Sequence, residues 1–208
     1  MKTDSRESVL GALRAAARRD GGDGAARAAV EARLREHPRG TIPARSRRDR
    51  NGLAALFVEQ ATAVDATVAR VPDLDAVPAA VAEYLIAGNL PSAVRMAPDR
   101  RLDACPWGRV PTLEIARGAA TPDDSVTVTG AFAGIAETAT LMLGSGPESP
   151  TTLNFLPDAH IVVLREEEIV GAYEEAWGRR RAAGPTPPRR RRRSPPRAAR
   201  RYGRRAGS

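Results

Sequence analysis

The chain has 208 residues, enough for one domain with a substantial core and too few for two full ones. Its formal charge of +8 is unevenly spread, because Gly178–Ser208 holds 13 arginines and no Asp, Glu or Lys, leaving Met1–Trp177 at −5. The high isoelectric point therefore belongs to the C-terminal segment and gives no support to a basic groove in the body. No stretch approaches the roughly 18 uninterrupted apolar residues that span a bilayer. MKTDSRESVLGALRAAARRD lacks the apolar core of a signal peptide, so a cytoplasmic protein is expected. A single cysteine, Cys105, excludes an internal disulfide and any cysteine-ligated cluster built by this chain alone. Two histidines, His37 and His160, argue against a self-sufficient zinc site.

In chain order, Val9, Leu10, Leu13 and Ala17 recur at helical spacing after a possible cap at Ser5. Asp20-Gly21-Gly22-Asp23-Gly24 breaks that helix, and Ala25–Glu36 restarts a shorter one. HPRGTIPARSRRDR follows as a Pro- and Arg-rich connector, which makes residues 1–50 a helical arm with few core positions. From Asn51 the texture changes. Leu53, Leu56, Phe57, Ala61 and Val64 share one helical face, ATVARV (66–71) reads as a short strand, and DLDAVPAAVAEYLIAGNLP reads as a helix ending near Gly88. SAVRMA (92–97), TLEIA (112–116), DSVTVTG (124–130), TATLMLG (138–144) and HIVVLR (160–165) read as strands, and EEEIVGAYEEAW (166–177) as a helix. HIVVL is the strand that most needs both faces buried. Strands alternating with helices predict an α/β domain over 51–177, with a mostly parallel sheet covered on both faces. An antiparallel addition is expected somewhere between Val126 and Leu164.

The remaining segment, 178–208, is expected to be a disordered tail. Gly, Ala, Pro and Arg make up 27 of its 31 residues, and it contains no Ile, Val, Leu, Met or Phe to bury. Such a composition is what a shifted reading frame produces in GC-rich DNA. A basic tail that binds nucleic acid nonspecifically is the second reading.

GAFAGIAETATLML, SPTTLNFLPDAHIVVL and IVGAYEEAW together resemble the LUD-domain family, specifically the lactate-utilisation protein C (LutC/YkgG) group. The resemblance extends upstream through HPRGTIPAR, LFVEQATAVDATVARV and NLPSAVRMAPDRRLDACPW, and covers most of Ser5–Trp177. It implies a fold similar to the CoA-transferase and ribose-phosphate-isomerase group. It also implies a part in oxidising L-lactate to pyruvate, with iron–sulfur clusters carried by partner proteins and none in this chain. Members of the family usually continue after the EEAW helix into a further strand and a Gly-Pro-Ser-Arg-like motif, where this chain has its arginines. Other functions kept in view are an independent enzyme acting on a phosphorylated or CoA-linked small molecule, and a basic-tailed nucleic-acid-binding protein.

Within GIAETATLML, Glu137 stands alone among small and apolar residues. Strand ends with small residues are where α/β folds build ligand sites. On that reading Gly134 lets backbone come close, Glu137 accepts hydrogen bonds from a ligand or from exposed amides, and Thr138 or Thr140 donates. The competing reading is structural, with Glu137 pairing an arginine or capping backbone N–H groups. GSGPES (144–149) reads as a hairpin connection, His160 as an orienting or capping residue, and Cys105 as an inert thiol.

Overall fold

The computed structural model describes residues 5–17 and 24–184. The chain divides into two compact units, 1–41 and 42–208. The first contains α1 (Ser5–Ala17) and α2 (Gly24–Glu36). α2 buries no residue, and its one internal ion pair, Arg27–Glu31, is the i,i+4 kind that steadies an exposed helix by only a few tenths of a kcal/mol. The glycine-rich break expected between these helices lies largely outside the described residues.

The second unit contains α3 (Arg50–Thr62), α4 (Val77–Ala87), β1 (Ala93–Met96), β2 (Glu114–Arg117), β3 (Val126–Gly130), β4 (Ala133–Ile135), β5 (Thr140–Met142), α5 (Thr152–Phe155), β6 (Ala159–Val163), β7 (Ile169–Val170) and α6 (Tyr173–Ala182). Asp49 starts α3 by accepting the Gly52 N–H at 2.8 Å, and Leu56, Phe57 and Ala61 then fall on its buried face. Asp73 caps the 3-10 turn Leu74–Ala76 ahead of α4. Val77, Val81 and Leu85 follow at four-residue spacing and pack into the main core.

β2, β1, β3 and β6 form a four-stranded, all-parallel sheet in that order. Val94, Met96, Val126 and Val128 pack beneath α4 with Leu102, Cys105 and Leu153. A second sheet has the order β5-β4-β7, antiparallel between β4 and β5 and parallel between β4 and β7. The architecture is thus α/β with a mostly parallel main sheet flanked by helices, as the alternation of elements predicts. The antiparallel addition is the β4–β5 hairpin in its own sheet, whereas β3 and β6 pair in parallel.

Several expectations are corrected. ATVARV forms no strand; the segment has no ladder partner, and Val68 and Val71 are exposed. The most deeply buried strand is β3, buried at all five positions, not β6, whose five residues are all half-buried. Position decides this: among the described residues β3 is flanked on both sides, whereas β6 is at the edge. The threonines in β3 are tolerated because Thr127 donates to the Leu153 carbonyl and Thr129 bonds His160 Nε2, each at 2.7 Å.

The expected helix over 166–177 is instead a 3-10 turn (Glu166–Glu168), then β7, then α6 from Tyr173. Gly171 explains the break. Its backbone lies against the Ser46 carbonyl so closely that a Cβ there would overlap it. α6 runs on to Ala182, so residues 178–182 belong to the helix and not to a tail; the tail expectation otherwise falls on 185–208, outside the described residues. Residues 42–50 group with the second unit, and Ser46 is buried there. Gly171→Ala is expected to destabilise the protein by about 1–3 kcal/mol, because backbone and not a mobile side chain must give way; chemical denaturation measures it.

Candidate functional site

β4 and β7 run parallel, so their carboxyl ends open on the same side, where α/β sheets place ligands. Glu137 follows β4, Tyr173 follows β7 as the first residue of α6, and Thr140 opens β5. Backbone bonds secure these ends: Ala136 N–H donates to the Val170 carbonyl at 2.8 Å, and Glu137 N–H to the Gly171 carbonyl at 3.1 Å.

Three hydroxyls meet here. Thr138 Oγ1 lies 2.8 Å from Thr140 Oγ1, Thr140 Oγ1 lies 2.7 Å from Tyr173 Oη, and Thr138 donates to Tyr173 Oη at 3.2 Å. The threonine bonds, first from Thr138 and then from Thr140, draw the Tyr173 phenol below its usual range, against slight burial and the neighbouring Glu137 charge. Beside them Arg45 Nη2 donates to Glu137 Oε1 at 3.0 Å. The Glu137 side chain is largely covered, with 14% of it exposed, whereas the Arg45 side chain is 60% exposed. The arginine partner of the structural reading is therefore present. Between Thr138 and Thr140, Ala139 adopts φ +50°, a left-handed conformation that favours glycine. Such strain is tolerated where the surroundings hold a turn in place.

Of the four residues singled out in the sequence, the structure brings Glu137, Thr138 and Thr140 together. Gly134 lies apart, buried within β4, where a Cβ would press on Leu164 and Phe57; its close approach is to core side chains. Arg45 and Tyr173 complete the group and were not anticipated. Arg45 is 92 residues from Glu137, and no local spacing announces the contact.

The main sheet presents a second polar group at its own carboxyl ends. Its order reverses at β1, and the crevice between β1 and β3 holds Asp99, Arg101 and Gly130. Arg101 binds Asp99 through Nε and Nη2, the latter at 2.6 Å, donates to the Ala131 carbonyl at 2.9 Å and reaches Glu168 at 3.5 Å. Burial pushes the Asp99 carboxyl up, but the hydrogen bonds and charge of Arg101 outweigh it and hold the pKa below the usual range. All three guanidinium nitrogens are engaged, so this group is a clamp joining strand ends. His160, held below its ordinary pKa by burial, bonds Thr129, and burial pushes the Cys105 thiol up. GSGPES closes as a turn through a Gly146–Ser149 bridge. Among the described residues, no group of three or more His, Cys, Asp or Glu side chains could hold a metal, and no helix is long and apolar enough to cross a membrane.

The LUD domain family model matches residues 54–196, about two-thirds of the chain and all of this site except Arg45. The chain belongs to the LUD-domain family. The crystal structure of a DUF162 family protein from Deinococcus radiodurans superposes with a TM-score of 0.54 at 24% identity, over 65% of this chain and 82% of that one. At that identity the match speaks for the fold alone. No curated protein matched the chain.

Two predictions follow from the geometry of the LUD domain. Ala139→Gly relieves the left-handed strain and is expected to raise stability by up to about 1 kcal/mol, read from denaturation midpoints. Asp99→Asn is expected to cost about 1–3 kcal/mol near neutral pH. Because the folded pKa of Asp99 is depressed, its contribution is complete above the unfolded value of about 3.9 and is lost as pH falls through the folded one. The wild-type and Asn proteins should therefore converge in stability in acid, which a pH series of melts will show.

Proposed function

We propose that this LUD-domain protein serves L-lactate utilisation, as a subunit or accessory factor in the oxidation of lactate to pyruvate alongside iron–sulfur partner proteins. The observation that carries the reading is the grouping of three hydroxyls at the carboxyl ends of β4 and β7 next to Glu137, the carboxylate that binds Arg45. An α-hydroxy acid offers matching chemistry. Its carboxylate suits Arg45, a planar donor fork, and its hydroxyl can join the Thr138–Thr140–Tyr173 chain, whose members both donate and accept. Glu137 holds Arg45 in place through their ion pair. The two electrons and two protons that leave lactate need an acceptor. A chain with one cysteine, and that one buried, does not supply the thiolates of an iron–sulfur cluster, so the proposal assigns the clusters to partners.

The test is L-lactate oxidation by the chain co-expressed with its iron–sulfur partners. Glu137→Gln keeps the shape but loses the charge that orients Arg45, and is expected to lower activity at least ~10-fold, a barrier change of about 1.4 kcal/mol. Because Arg45 is mostly solvated, the pair is worth only about 0–1 kcal/mol to the fold, and melting should shift little. Lactate oxidation that persists undiminished when this chain is omitted would refute the assignment; a large melting shift with normal activity would make Glu137 purely structural.

A further inference from the structure

The hydrogens of the hydroxyl cluster can be counted one by one. Thr138 Oγ1, Thr140 Oγ1 and Tyr173 Oη form a closed triangle with sides of 2.8, 2.7 and 3.2 Å. Among the described residues, none of the three oxygens has a hydrogen-bond partner outside it. A hydroxyl carries one hydrogen and two lone pairs. The geometry fixes the longest side, where Thr138 donates to Tyr173. That hydrogen is then spent, so Thr140 donates to Thr138 and Tyr173 donates to Thr140. Three hydrogens fill three contacts, and each oxygen keeps one lone pair that the ring does not use. Thr138 and Tyr173 are exposed and Thr140 is half-buried, which leaves those lone pairs open to an arriving molecule. The Glu137 carboxylate, whose charge acts on Tyr173, adds acceptors and no donor.

We propose, on the α-hydroxy-acid reading of this site, that the closed ring of hydroxyls selects an alcohol over a ketone at the substrate carbon next to the carboxylate. An incoming O–H donates into a waiting lone pair while the ring stays closed. A ketone oxygen brings only lone pairs and meets only lone pairs. To be bound it must open the ring and take a hydrogen from one member, so an internal hydrogen bond is lost. Sites that pair a substrate hydroxyl reject analogues lacking it for the same reason. Oxidation removes the donor while the molecule is in place, so the ring also favours release of the keto product. Thr138, Thr140 and Tyr173 are thus specificity-determining residues, and the property resides in the ring and in no single member.

Ligand-observed NMR titration of the full-length chain tests this with matched pairs: L-lactate and pyruvate, 2-hydroxybutyrate and 2-oxobutyrate, glycerol 3-phosphate and dihydroxyacetone phosphate. The alcohol is expected to bind about tenfold more tightly than its ketone, the worth of one hydrogen bond. Thr140→Val and Tyr173→Phe each leave two hydroxyls sharing one bond, which frees a hydrogen, and should bring the two affinities level. Thr140→Ser keeps the ring and should keep the preference; it carries the comparison with Tyr173→Phe if the valine variant fails to fold. A preference shown only by the phosphate pair would sustain the ring and refute the lactate reading. Equal or tighter binding of the ketones would overturn the proposal and leave lactate as the substrate. A preference unmoved in both ring-opening variants, or no binding by any alcohol of the three pairs, would also overturn it.

Discussion

The contact between Gly171 and the Ser46 carbonyl governs much of this architecture. A side chain at 171 would hold the 44–46 turn away from the end of β7. With glycine there, the turn seats its buried serine, whose hydroxyl donates to Pro43, and it points Arg45 toward Glu137. The same residue stops 166–182 from forming one helix. That frees Ile169-Val170 to pair with β4, and it starts α6 where the Tyr173 hydroxyl meets two threonines. Strand, turn and site thus depend on one missing methyl group.

The fold was largely legible in the sequence because most elements declare themselves locally. β1, β3 and β5 fall within the runs expected of them, β2 and β6 match theirs to within one residue, and α4 falls inside the helix expected of DLDAVPAAVAEYLIAGNLP. What failed was whatever depends on position. HIVVL and VTVTG differ in apolarity, yet the less apolar one is the buried strand, because neighbours and not composition decide which strand is central. EEEIVGAYEEAW has helical composition over much of its length, and a tertiary contact with a residue 125 positions earlier divides it.

The candidate site divides along the same line. Glu137, Thr138 and Thr140 are within four residues, and an isolated carboxylate in an apolar run is visible to any reader of the sequence. Gly134 looked like part of the same device, but its bareness admits Leu164 and Phe57 to the core. Arg45 and Tyr173 come from opposite ends of the domain. A hydroxyl and a guanidinium are common on surfaces, so neither residue type stands out until the fold brings it in.

That separation has a kinetic side. Ladder contacts within the main sheet close loops of a few tens of residues, whereas the Arg45–Glu137 pair closes one of 92. Loop closure costs more entropy as the loop lengthens, and it is repaid only when the contacts it enables are made. On a growing chain, Tyr173 emerges more than a hundred residues after Arg45, so the hydroxyl cluster is among the last parts to assemble. A half-made or misassembled molecule has its sheet before it has its site, and binding competence becomes a readout of completed folding.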